Sequence, residues 1–458
     1  MRKLPLAIWA MVVGAFAMGA DEFIVAGVVR EIAQALDVTI GAVGALESVY
    51  ALGVAIGAPV FTALGTRFGR RSMLLTTTGV FLLGNLLSAL GPAYGTIMAG
   101  RIVSAMAHGA FLGIAAVYAA ELVEPSRKGR AVAIVFSGLT ASTILGAPIG
   151  AAVGQALGWR FTFWTLVVFG GIALLGLLAS LGRAAPATHA HHDHAAEAHE
   201  GHHGPGHGTQ NAAQHGGDHG PQHGAEFEGL DAHALAHLGG GGQGPTMREQ
   251  LAALRRPAVW GALLTTMLGY GGVFTSYVYL APQITEVTGF EAGWVTPLLL
   301  LFGIGLFAGN HLGGKLADRA VMPSVIGTVA ALAVTLFAMT PAIESKPATV
   351  AMMLVFGTAA FAVVAPLQLR VMTAAGHAPD VASAANISAF TLGSAIGIYL
   401  GGEAIDGGLG LSSVNWVGGL LTTAGLATAL ATWALLDRRR QPDHHDHQAP
   451  VTTTHHHH

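Results

Sequence analysis

Asp21 and Glu22 stand side by side in AFAMGADEFIVAGVV, Ala15 to Val29, a run whose other residues are all apolar or small. A soluble core rarely buries two adjacent carboxylates, and a plain membrane anchor carries none. On insertion scales a charge at the centre of a membrane helix costs about 2.5–3.5 kcal/mol, and protonating a carboxylate removes most of that penalty. An acid that is neutral when dry and ionised when wet is suited to moving a proton as access alternates. Consecutive residues of a helix point about 100° apart, so Asp21 and Glu22 cannot face one cavity equally.

Other residues could take part in the same chemistry. Arg101, in RIVSAMAHG, must find protein or water inside its span; there it would favour the ionised form of a nearby acid, or serve as an interhelical contact. His108, two turns further on, titrates in the range a proton relay needs, although a lone His on an apolar helix is more often a satisfied core residue. Glu47, within VGALESVYALG, reads either as a second protonatable group or as a residue of the outer vestibule. Glu403 and Asp406 are expected at the outer mouth, and His311 and Arg370 near helix ends. Tyr50, Tyr270, Phe274, Tyr277 and Phe390 could line a cavity for an amphipathic aromatic compound, or anchor at the membrane interface. Asn386, in AANISAF, is a polar lining candidate.

The elements that must hold these residues are membrane helices. The 458 residues are 52% hydrophobic and only 10% charged, with a mean hydropathy of +0.56, whereas about a quarter of an ordinary soluble domain is charged. Twelve apolar runs are long enough to cross the bilayer: roughly 5–29, 40–62, 73–91, 95–120, 131–155, 161–182, 258–281, 294–313, 322–341, 347–369, 382–404 and 413–436. The first run continues past AFAMGA, which reads as an uncleaved span rather than a signal peptide. The absence of cysteine excludes disulfides and thiolate metal sites. A net charge of -3 offers no basic field for nucleic acid, and no nucleophile–base constellation points to an enzyme.

Lys and Arg are distributed unevenly. One side would carry Arg70, Arg71, Arg127, Lys128, Arg130, Arg255, Arg256, Lys315 and Arg319 among others; the other would carry only Arg30, Arg160 and Lys346. The positive-inside rule then puts both termini and the central linker in the cytoplasm of a multi-pass protein of the cytoplasmic membrane. The expected domains are a six-helix bundle over 1–183, a disordered His-rich linker over 184–250, a second bundle over 251–440 and a His-rich tail over 441–458. The halves echo each other. GTRFGRR after span two matches GGKLADR after span eight, and GAPIGAAVG in span five matches GSAIGIYLGG in span eleven.

These motifs carry a resemblance to the major facilitator superfamily, and within it to the twelve-span drug:proton antiporters. Gly314, Asp318 and Arg319 match the superfamily's loop signature; its first-half counterpart keeps Gly69, Arg70 and Arg71, with Thr66 where Asp is usual. Arg101 to Gly109 looks like the fourth-span Arg motif, and Gly146, Pro148 and Gly150 look like the fifth-span antiporter motif. DEF, YALGVAIGAP, GWRFTFW and YLAPQITEVTGF are similar to actinobacterial chloramphenicol-resistance and arabinose-efflux-like permeases. The resemblance implies an all-α membrane fold of two pseudo-symmetric six-helix bundles, working as a monomer. It also implies antiport of protons against a small lipophilic compound, with Glu22 as proton carrier, Asp21 next, and Arg101 modulating both.

The linker stands apart. His189, His191, His192, His194, His199, His202 and His203 lie among Asp, Glu, Gly and Ala. Imidazoles with neighbouring carboxylates suit zinc, nickel, cobalt or copper, but no spacing closes a tetrahedral site. Weak multi-site metal binding is expected and no cofactor is required. A divalent-metal exporter or a sugar efflux permease are the alternative readings of the chain.

Overall fold

In a bilayer every backbone N–H and C=O must be satisfied within the chain, which leaves helices as the local solution for long charge-poor runs. The computed structural model describes residues 5–65, 69–124, 127–181, 247–376 and 379–437, and these form helices with no strand among them. Twelve helices are long and apolar enough to cross a membrane. They are α1 Leu6–Phe23, α2 Ile40–Gly65, α3 Arg70–Leu90, α4 Tyr94–Glu121, α5 Lys128–Leu157 and α6 Arg160–Leu181. The second six are α7 Pro257–Tyr277, α8 Val295–Arg319, α9 Val321–Ala342, α10 Lys346–Ala362 with its continuation Val364–Ala375, α11 Pro379–Ala404 and α12 Ser413–Thr432.

Several expected boundaries move, the eighth span among them, which is expected to end at 313 and ends at Arg319. The first apolar run continues to Val29, but α1 ends at Phe23; a single 3-10 turn, Val25–Gly27, leads into a separate helix Val29–Leu36. Gly27 makes the turn possible, because a Cβ there would meet the backbone of Ala147, Gly150 and Ala151. The His-rich segment was taken to 250, yet a helix already begins at Met247; its residues 184–246, and the tail 441–458, lie outside the described residues. Within α10 the break at Val363 precedes Pro366, which lacks the N–H that would bond the Ala362 carbonyl.

Successive helices alternate in direction, so Arg70, Arg71, Arg130, Arg256, Lys315 and Arg319 gather at one end of the molecule, called here the basic end. Arg30, Arg160 and Lys346 lie at the far end. The glycine ladders explain how each half is assembled. Along α5, Gly138 abuts the Val12 carbonyl of α1, Gly146 abuts Phe23 and Ala20, and Gly150 abuts the Ile24 carbonyl. Along α11, Gly393, Gly397 and Gly401 stand against the carbonyls of Met267, Gly271 and Thr275 on α7. Small residues permit this backbone approach in membranes, where packing rather than hydrophobicity drives association. The fifth helix of each half thus seats the first by the same device.

The halves meet through α2 with α11 and α5 with α8. Among the described residues polar contacts join them toward the far end: Thr39 donates to Asp406 at 2.7 Å, Ser48 to the Ala395 carbonyl at 3.1 Å and Gln155 to the Ala292 carbonyl at 2.8 Å. Arg30 pairs with Glu286 at 3.5 Å across the same seam. Tyr279 inserts between the halves, its hydroxyl bonded to the Ile398 carbonyl and lying against Gly44 and Gly402. The seam is closed at the far end.

Candidate transport site

Arg101 is the largest fully buried side chain among the described residues. It belongs to the inward stripe of α4, with Ile97, Ser104, Ala105, His108 and Phe111 at helical spacing. That stripe faces α1, α2 and α3, and each contributes a polar residue to the cluster. Nη1 of Arg101 donates to Oδ1 of Asp21 at 2.5 Å and to the Asp21 main-chain carbonyl at 2.9 Å. Nη2 donates to Oε1 of Glu47 at 2.6 Å. The guanidinium carbon lies 3.9 Å from the centroid of the Tyr50 ring, a cation–π contact strengthened by desolvation. Asn85 donates to the second Asp21 oxygen at 3.1 Å. The Tyr50 hydroxyl donates to the Met18 carbonyl at 3.3 Å and lies 2.9 Å from Nδ1 of His108.

Two carboxylates therefore share one guanidinium in a dry environment. If both are ionised the cluster carries one uncompensated negative charge, and a single proton cancels it. Arg101 Nε and Asn85 Oδ1 have no partner, so the network has spare donor and acceptor capacity. Glu22, about 100° round α1 from Asp21, is half-buried and near enough to Tyr270 and Tyr277 of α7 to interact with them electrostatically. One acid of the pair thus serves the interior of the first bundle, and the other lies where the halves meet.

Aromatic rings fill that meeting place. Phe23 packs on Phe274 and Tyr277 with ring centroids 6.2 and 5.7 Å apart. Tyr270 lies 5.7 Å from Phe274 and 4.7 Å from Phe390, and Tyr277 stacks on Phe302 at 5.2 Å. Asn386, fully buried on α11, donates to Gln368 of α10 at 2.7 Å, and Gln368 donates to Ser383 at 2.6 Å. The Asn386 side-chain oxygen Oδ1 has no partner among the described residues.

Several sequence expectations change in detail. Tyr50 does not line the space between the halves; it is buried inside the first bundle and committed to Arg101 and His108. Glu47 is no vestibule residue, being 3% exposed and ion-paired. His108 is bonded within the core, whereas Asp406 and Glu403 stand exposed at the far end. Gly69 precedes the first residue of α3 in extended conformation, exposed Arg70 pairs with Glu121, and Arg71 is exposed. Pro148 is buried between Gly146 and Gly150 inside α5. Gly314, Asp318 and Arg319 form the basic end of α8, the last two exposed. The candidate metal ligands His189, His191, His192, His194, His199, His202 and His203 lie outside the described residues, as does Thr66. Asn85, Gln368, Phe23 and Phe302 were not anticipated. The first two were legible as lone amides in apolar spans, LLGNLL and APLQLR; the two rings carried no signal.

Twelve spanning helices in two matched sixes, with a buried charge cluster inside the first, have the architecture of a secondary transporter. The chain belongs to the Major Facilitator Superfamily, whose family model matches residues 11–398. It is 37% identical over 441 residues to the inner membrane transport protein YdhP of Escherichia coli O157:H7, covering 96% of this chain and 98% of the relative. It is 32% identical over 431 residues to a chloramphenicol resistance protein of Streptomyces lividans, covering 93% and 96%. The xylose transporter XylE of E. coli, in a partially occluded inward open conformation, superposes with a TM-score of 0.61 over 94% of this chain and 97% of that one, at 16% identity; this likeness speaks to the fold alone.

Proposed function

We propose that the protein exports a small lipophilic compound, chloramphenicol or a related drug being the first candidates, in exchange for protons. The observation that carries this reading is the buried set of Asp21, Glu47 and Arg101 with Glu22 beside it. Surplus carboxylates around one cation have no use as a static ion pair, because burying uncompensated charge is costly; they are suited to binding and releasing a proton. Glu22 is the proposed carrier, since it lies next to the aromatic band where a substrate ring would stack. Asp21 and Arg101 set its electrostatic surroundings. The relative named for chloramphenicol resistance supports the substrate class. By the positive-inside rule the basic end is cytoplasmic, so a seam closed at the far end corresponds to an inward-facing state of an alternating-access cycle.

The test is Glu22→Gln in reconstituted vesicles. Substrate flux driven by a proton gradient is expected to be abolished while membrane insertion and elution as a folded species are unchanged. Full gradient-driven flux in this variant would reject Glu22 as carrier.

A further inference from the structure

The contacts of α2 assign a second role to the charge cluster. We propose that Glu47 couples the protonation of the cluster to the α2–α11 seam, so that closing the far end takes up one proton and opening it releases one. The inference rests on the exporter reading and adds to it a residue with a different task from that of Glu22.

Two faces of α2 lie side by side. Positions 41, 44 and 48 fall on one stripe and touch the other half: Gly41 packs on Gly402 and Asp406, Gly44 on the Tyr279 hydroxyl, and Ser48 bonds the Ala395 carbonyl at 3.1 Å. The adjoining stripe carries Glu47 and Tyr50 toward Arg101. Glu47 is therefore one residue away from a seam contact and belongs to the helix that forms most of that seam. It has Arg101 as its sole side-chain partner among the described residues, whereas Asp21 is also held by Asn85. Of the two acids, Glu47 is the one that separation of α2 from α11 would bring to water.

The groups around Glu47 leave a negative surplus. Asp21 and Glu22 approach from α1, Arg101 from α4, and Tyr50 from α2 itself. Tyr277 and Tyr279 of the other half lie within electrostatic reach of it. Asp406, just past the end of α11, meets Thr39 and Gly41 at the start of α2, about two turns from Glu47. Arg101 is the one cation in this set. With the seam closed the surplus charge is dry and a bound proton relieves it; with the seam open water does so instead. Low pH should thus close the far end and high pH should open it.

The chain has no cysteine, so a reporter pair is clean. Thr39→Cys with Asp406→Cys, in the full-length protein in vesicles, replaces a 2.7 Å contact at the end of the seam, and its oxidative cross-linking reads closure. The yield should rise as pH falls. Adding Glu47→Gln should make it high at every pH, and adding Glu22→Gln should leave the pH profile in place although gradient-driven flux is lost. Should Glu47→Gln not reconstitute, Glu47→Asp must shift the midpoint of the profile. A flat profile in the reporter protein, or a profile unmoved by either Glu47 substitution, overturns the proposal. Loss of gradient-driven flux in the protein without cysteines would instead reject the exporter reading and leave the seam result standing.

Discussion

At the scale of single residues, the cluster makes strong demands on Arg101. Removing one partner of a buried ion pair costs about 3–5 kcal/mol, because the remaining charge is left bare, and here two carboxylates would be stranded. Arg101→Gln is expected to lower thermal stability by an amount of that order, read in detergent by a tryptophan or light-scattering melt. Combining it with Asp21→Asn and Glu47→Gln should restore most of the loss; no restoration would mean that Arg101 acts through packing alone. The acids and Arg101 were legible in the sequence because charge is so rare in these spans. What each one touches was not. The rotation of α1 against α4 decides that Asp21 rather than Glu22 meets the guanidinium, and that rotation is set by α5, more than a hundred residues on. Tyr50 was misplaced for the same reason, since an aromatic residue on an apolar helix has no polar neighbour in sequence to show which face it takes.

At the scale of elements, the glycine ladders of α5 and α11 carry the assembly of each half. A Cβ at Gly397 would meet the Gly271 carbonyl, and one at Gly150 the Ile24 carbonyl. Backbone cannot yield as a side-chain tip does. Gly397→Leu and Gly150→Leu should each cost about 1–3 kcal/mol by overpacking, visible as a lower melting temperature, whereas Gly113→Leu, with nothing near its Cβ position, should leave the melt unchanged. Equal melts for all three would show that the ladders do not set helix separation. The ladders and most helix starts could be read from hydropathy and spacing. The end of α1 could not, because Ile24 to Val29 stay apolar through the turn, where Gly27 packs against the backbone of α5.

At the scale of the molecule, twelve helices in two matched halves close on each other at one end, and transport requires that end to open. Gln155→Cys with Ala292→Cys places a bridge where a 2.8 Å contact now crosses from α5 to the turn before α8. Oxidation should stop transport, and reduction should restore it; transport undiminished by a complete cross-link would mean the halves do not separate there. The most direct test of proton exchange is a flux measurement on the unmodified chain in vesicles containing a pH-sensitive dye, with chloramphenicol as the first substrate of a panel. Substrate moving one way should carry protons the other way, and collapsing the pH gradient should abolish uphill substrate movement. Uphill substrate flux that persists with no proton movement would contradict the account.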